Sequence, residues 1–337
     1  MHLSFPNSVT LLITSLVVVA LSRTGSRLKH SRPLTAFLAR RLAATFITVI
    51  VVHACAFALM RAVPGGPFDT DPRMDPIVRA NLVARYGLDR PWIESWLSSL
   101  GGVFRADFGP SMAWRDNSAT EILGAGFPVS AALGALALFF AIVIGVPSGI
   151  VAATQRGKWI DPVIRSVSSV GLAVPNFLVA TVLISVFGFG LRWLPVAGFG
   201  TWRHAILPAF ALSLPVAAAL ARLVRTGLLI ELPKDHVRTA RAKGLSPLRV
   251  LWVHALPGAL GPAVAYIGPA AATILTGSLV IESMAAIPGM GTHFVSAAMN
   301  RDYPLALGAV VIYTTLVSLF NVFADLAHAR LDPRIRL

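Results

Sequence analysis

The sequence predicts an all-α fold, a polytopic membrane helix bundle, and three observations predict it. Hydrophobic residues make up 55% of the 337 and charged residues only 13%, too apolar a balance for the surface of a soluble domain. The mean hydropathy is +0.72. Apolar runs near the length of about 20 residues that a helix needs to cross a bilayer recur along the chain, with charged stretches between them. The net charge of +14 lies in those stretches rather than on one soluble face, which excludes a nucleic-acid partner and marks the charge as topological. The single cysteine, Cys55, falls in an apolar run as a small buried or lipid-facing side chain, leaving no intrachain disulfide and no cysteine metal cluster.

Residues 1–35 read as an N-terminal extension. Within it, 9–21 is apolar but too short to span, and Met1–Ser8 lacks the Lys or Arg that opens a signal peptide; an accessory interfacial helix is expected. Arg23, Arg27, Lys29, Arg32, Arg40 and Arg41 surround the start of the first transmembrane helix, placed at 36–62 with its apolar stretch at 42–62, and put that side in the cytoplasm. The region 63–126 carries eight of the fifteen acids against six arginines, so it is expected to face outward. Ile77–Tyr86 and Pro91–Leu100 read there as two short amphipathic helices broken at Gly87 and Pro91, forming a small cap.

The five remaining spans, in a core over 127–337, are expected at 127–152, 165–190, 205–230, 259–284 and 305–328. Arg156, Lys158 and Arg165 mark an inner loop, and Arg330, Arg334 and Arg336 place the C-terminus in the cytoplasm. Gly, Ala and Ser recur within the spans, where they let helix backbones approach closely.

The longest inner interruption is 231–257, with Lys234, Arg238, Arg241, Lys243 and Arg249 in it. Val237–Lys243 predicts a short basic helix stopped by Gly244, whose lack of a Cβ suits the left-handed conformation. Ser246 is placed to cap a second helix with Pro247 as its first residue. Pro257 marks re-entry into the membrane. Such a helix–turn–helix suits a knob that docks into another protein; a basic loop that only sets topology or touches anionic lipid is equally compatible with composition.

Arg238-Thr239-Ala240, three residues, Gly244, nine residues and His254-Ala255-Leu256-Pro257 resemble the EAA loop of ABC importer permeases. Ala240, Gly244, Leu256 and Pro257 match that pattern, whereas Arg238, Thr239 and His254 replace its Glu, Ala and Ile. Further stretches resemble the dipeptide/oligopeptide/nickel branch, in which Arg-Thr-Ala is common: Arg61 with Pro64-Gly65-Gly66-Pro67, Tyr86-Gly87-Leu88-Asp89-Arg90-Pro91, Asp107-Phe108-Gly109-Pro110-Ser111, Val174-Pro175-Asn176-Phe177, Asn300-Arg301-Asp302-Tyr303-Pro304 and Leu331-Asp332-Pro333-Arg334. Gly66 departs from that branch's usual Pro-Gly-Asp-Pro. The resemblance covers residues 36–336 and implies a type I ABC importer permease with six main transmembrane helices, in a bacterial or archaeal cytoplasmic membrane.

It further implies a pathway for short peptides, with a second permease subunit, two cytoplasmic ATPase subunits and an extracytoplasmic substrate-binding protein as partners besides membrane lipid. Nickel or another small solute is the alternative cargo, and an ion-coupled secondary transporter the alternative class. No Gly-x-x-x-x-Gly-Lys-Ser/Thr loop is present, so no cofactor is expected on this chain, and ATP with Mg belongs to the partner ATPases. In the coupling loop, which includes Thr239, the resemblance makes Ala240 and Gly244 packing residues at the joint, Arg238, Arg241 and Lys243 polar rim contacts, and Leu256-Pro257 a fixed elbow.

No catalytic residue and no metal site are expected: the chain has no His-Glu-x-x-His and no Gly-x-Ser-x-Gly. Met284, Met290, His293 and Met299 could greet a soft metal, though scattered methionine is ordinary in apolar protein. Charges within spans are rare and usually functional. Glu282 is a candidate for the pathway or for a pair with Arg301, and Asn176 for the pathway or an interhelix contact. Asp325 is expected to tie to Arg330 or to a neighbouring helix. Arg222 and Arg225 are expected to snorkel to the inner surface, and His53 to be structural.

Overall fold

The computed structural model describes residues 34–63, 66, 68, 75–114 and 116–331. The expected helix at 9–21, most of Pro64-Gly65-Gly66-Pro67, and residues 332–337 lie outside them, as does the Arg330 side chain. The chain runs α1 (Leu34–Ala62), α2 (Pro76–Arg85), α3 (Trp92–Phe104), α4 (Ala119–Thr154), α5 (Ile160–Ala173), α6 (Asn176–Leu183) and α7 (Arg203–Glu231). It continues through α8 (Asp235–Ala242), α9 (Pro247–Arg249), α10 (Leu256–Ala259), α11 (Gly261–Met284), α12 (Met290–Met299) and α13 (Tyr303–Leu331). Among the described residues the only bridge is an isolated one between Pro110 and Ser118, so the fold is all-α.

Helices α1, α4, α7, α11 and α13 are long and apolar enough to cross a membrane. A sixth span exists when α5 and α6, with the π-helical Ile184–Gly190, are counted together across a 104° bend. The straight third span expected at 165–190 is thus an elbow. Its cause is local: Pro175 has no N–H to donate and pushes Val174 out of the helical region, to φ −83° and ψ 126°.

The start of α4 is set by a reciprocal cap. Ser118 Oγ accepts from the Glu121 N–H at 3.1 Å, and the Ser118 N–H donates to Glu121 Oε2 at 2.9 Å. Farther along, Gly145 and Gly149 let α4 press onto the backbone of α7: a Cβ at Gly145 would lie 2.5 Å from the Ala217 carbonyl oxygen, and one at Gly149 2.6 Å from that of Ala221. This four-residue spacing of small side chains on both helices lets them touch along one seam.

Two buried clusters follow. The larger joins α4, α7 and α11 and extends into α8 and α10 through Val237, Ala240 and Leu256. The smaller lies at the opposite end, between the start of α4, α12 and the first turns of α13. Helix α1 stands at the edge, packed on α13 and tied to it by an Arg41–Asp325 ion pair, so Asp325 finds its partner on a neighbouring helix.

Asp75 caps α2, accepting from the Ile77 N–H at 2.7 Å with Pro76 at the first position. Helix α3 leans along α1. Ser99 meets His53 Nε2 at 3.1 Å, and Phe104 stacks on Phe46 with ring centroids 5.3 Å apart. His53 therefore has an interhelix partner.

Candidate functional site

The loop between α7 and α11 is built as two helices at a rigid corner. Gly244 takes φ +75°, its N–H donates to the Arg241 carbonyl at 2.9 Å, and the Leu245 N–H reaches the Ala240 carbonyl at 3.4 Å. This pair of bonds is the Schellman closure of a helix. Two residues later Ser246 Oγ accepts from the Arg249 N–H at 3.4 Å, and Pro247 opens α9, which runs on through the π-helical Val250–Ala255 into α10. The predicted stop, cap and first residue therefore stand where the sequence placed them.

The loop has two unlike faces. Val237 and Ala240 are 0% and 4% exposed, packed into the protein's own core, and Leu256 is buried with them. The resemblance cast Ala240 as a residue at a joint with another protein; the structure turns it inward, because α8 needs an apolar stripe to hold it to the core and to the π-helical Val250–Ala255. What remains outside is Arg238, Thr239, Arg241, Lys243 and Gly244, joined by Pro257 and an exposed Leu248.

A carboxylate fastens the loop. Glu231, the last residue of α7 and 7% exposed, accepts from Lys234 Nζ and has His236 Nε2 3.4 Å from its other oxygen. The same His236 nitrogen donates to the His254 carbonyl at 3.1 Å. The carboxylate lies on Gly258, where a Cβ would come within 2.5 Å of Oε1. Glu231 thus holds α8 and the chain entering α10 to the end of α7. Sequence reasoning passed over it, although an acid closing an apolar span just before a basic helix was a usable signal.

Deeper in the bundle, Asp161 at the start of α5 receives Arg225 of α7 through Nε at 2.7 Å and NH2 at 2.8 Å, with Arg165 at 3.4 Å. Arg225 therefore does not snorkel as expected; a buried acid 64 positions away captures it in a bidentate pair. Arg222 is exposed, as snorkelling requires.

Glu282 is 0% exposed and does not pair with Arg301, which donates instead to the Gly66 carbonyl at 3.4 Å. Its Oε2 accepts from the Gly291 N–H at 2.8 Å, in the first turn of α12. Gly289 makes room: a Cβ there would sit 2.3 Å from Oε2 and 2.6 Å from Ser130 Oγ. Ser130 itself accepts from the Met290 N–H at 2.8 Å, so α4 and α11 grip the same helix start. Asn176 lies against α11 at Gly277, where a Cβ would meet its amide nitrogen at 2.9 Å, which is an interhelix contact.

Asp302, which the sequence offers only as part of the Asn300-Arg301-Asp302-Tyr303-Pro304 stretch, is fully buried. It accepts from Ser111 Oγ, from the Ala113 N–H at 3.1 Å and from the Leu305 N–H at 3.2 Å, joining the segment before α4 to the start of α13. Met290 is buried and Met299 exposed at the far end of the same ten-residue helix, so the two do not converge on one metal. The described residues hold no group of three His, Cys, Asp or Glu able to bind a metal ion.

Residues 145–337 match the binding-protein-dependent transport system inner membrane component family. The chain is 40% identical over 303 residues to the oligopeptide transport system permease protein OppB of Haemophilus influenzae, spanning 89% of this chain and 99% of that protein. It is 39% identical over 301 residues to the dipeptide transport system permease protein DppB of Bacillus subtilis, spanning 89% and 98%. An inward-facing structure of the MetNI methionine ABC transporter superposes with a TM-score of 0.54 at 19% identity, over 63% of this chain and 96% of that one, a likeness of fold.

Proposed function

Because the chain belongs to the family of binding-protein-dependent transport system inner membrane components, we propose that its α8–α9 corner couples the membrane helices to the ATPases of a peptide importer. The protein is a multi-pass permease component of a peptide ABC importer, with the type I importer fold, and it works in a complex with other ABC subunits. Near-complete coverage of two peptide permeases carries this reading.

In the finer reading the chain lines the pathway with a second permease, receives short peptides from an extracytoplasmic binding protein, and docks one of two cytoplasmic ATPases. ATP and Mg bind on those ATPases, and the C-terminus lies in the cytoplasm with α8. The permease itself makes and breaks no covalent bond. Closure of the ATPases presses on the exposed face of α8. The closed turn at Gly244 and the Glu231 fastening carry that displacement into α7 and α10, and α7 takes α4 with it along their seam.

The test is co-purification of the permease with its ATPases, followed by ATP hydrolysis with and without peptide-loaded binding protein. Arg241→Glu with Leu248→Asp, both on the exposed face, is expected to abolish capture of the ATPase while the permease stays folded. Undiminished capture sinks the docking reading. Peptide uptake driven by an ion gradient in the absence of the ATPases would replace the importer with a secondary transporter.

A further inference from the structure

Beside the first helix, away from the α4–α7 seam and the coupling loop, lies a cavity of about 600 Å³ between α1, the α2–α3 region and the start of α13. Among the described residues four arginines line it, Arg61, Arg85, Arg90 and Arg105, against one acid, Asp107. Its apolar lining includes Phe57, Phe108 and Leu307. The volume falls within the range of about 300–1,000 Å³ typical of small-molecule sites.

Two placements say what it suits. Arg61 is in the last turn of α1 and Tyr303 is the first residue of α13, so one end of the cavity lies where two spans leave the apolar layer. The other end includes Ser99, which meets His53 nine residues before the end of α1, about 13 Å along the helix. Beyond it, the α1–α3 contact continues into the stacked Phe46 and Phe104, both exposed. A basic chamber at the level of helix ends, opening onto an apolar seam that runs inward, matches an amphiphile with an anionic head.

We propose that this cavity is a binding site for the phosphodiester headgroup of an anionic phospholipid, whose acyl chain lies along the α1–α3 seam. Arg90 and Arg105, both exposed, supply charge to the headgroup. Arg61 mainly shapes the chamber, since it already donates to the Leu88 carbonyl at 2.7 Å and to that of Arg90 at 3.3 Å. A guanidinium offers paired donors to the phosphate oxygens of either lipid, and the excess of positive charge repels a quaternary ammonium, which favours an anionic phospholipid over a zwitterionic one of equal chain length.

The experiment uses the assembled transporter, delipidated and then exposed to phosphatidylglycerol or phosphatidylcholine of matched chains, with retained lipid counted by native mass spectrometry. Preferential retention of phosphatidylglycerol is expected, falling about fivefold for each arginine removed in Arg90→Ala and in the double variant with Arg105→Ala. Arg203→Ala, an exposed arginine elsewhere, is expected to leave it unchanged. Equal retention of the two lipids, or a preference untouched in the double variant, overturns the proposal. Inorganic phosphate that binds equally well in the absence of lipid overturns the lipid source and leaves a soluble-anion site. If the double variant alters only stimulation by the binding protein, the chamber is a protein-docking face instead.

Discussion

The two ends of this permease are each held by buried carboxylates, and the two are held differently. At the α7–α8 end, Glu231 is gripped by Lys234 and His236, side chains about half exposed to solvent. At the α12 end, Glu282 and Asp302 are sealed and bonded by backbone N–H groups and a hydroxyl: Gly291 for the first, Ala113, Leu305 and Ser111 for the second. Mobile charged partners near water release and re-form their bonds at small cost. Backbone donors in a dry site cannot follow a moving acceptor, and leaving them unpaired is expensive. One end is thus built to work under load and the other to stay in place.

Asp302→Ala tests the fixed end most severely. It strips three donors of their acceptor and is expected to cost about 3 kcal/mol or more, read as a lower apparent unfolding midpoint of the purified complex. Glu282→Ala should cost about 2 kcal/mol, and Glu282→Gln less, because an amide oxygen still accepts from Gly291. If either alanine variant unfolds with the wild type, the contrast between the ends is gone.

At the working end, Gly258→Val drives a Cβ into the Glu231 carboxylate and is expected to cost about 1–2 kcal/mol. Glu231→Gln should shift the midpoint by less than about 1 kcal/mol, since its partners are solvent-screened, yet reduce ATP hydrolysis stimulated by the loaded binding protein several-fold. Stimulation left intact in that variant would make Glu231 a structural residue only.

The smallest effect concerns His293 in α12, whose ring meets Trp114 edge-on at 5.8 Å. Burial lowers its pKa, so the folded protein holds that proton less readily than the unfolded chain does. Its contribution is intact above the ordinary histidine value of about 6.5 and is lost as the pH falls through it. His293→Gln is expected to flatten the decline of the unfolding midpoint between neutral and mildly acidic pH.

The spans were legible in the sequence because a bilayer imposes length and hydropathy on each one separately, as α4, α7, α11 and α13 illustrate. The corner at Gly244, Ser246 and Pro247 was legible because every requirement there is local. Partnerships across the fold were not. Arg225 looked like a snorkelling arginine because Asp161 is far away in sequence, and Glu282 was offered Arg301 when its acceptor role is filled by a backbone N–H that composition does not reveal. Ala240 matched a motif whose pattern does not say which way a side chain points. The span expected at 165–190 took no account of the missing N–H of Pro175, and the size of the bend there depends on how α5 and α6 pack on α7.

The contact between Gly145 and Ala217, repeated at Gly149 and Ala221, has a mechanical meaning. Two helices touching backbone to backbone at successive turns have no compressible layer between them, so neither can slide by a fraction of a turn without driving a carbonyl into a Cα. They must travel as one girder. Any change in which side of the membrane is open has to be taken up outside the girder, as at the elbow at Pro175, which lies on the chain between its two helices.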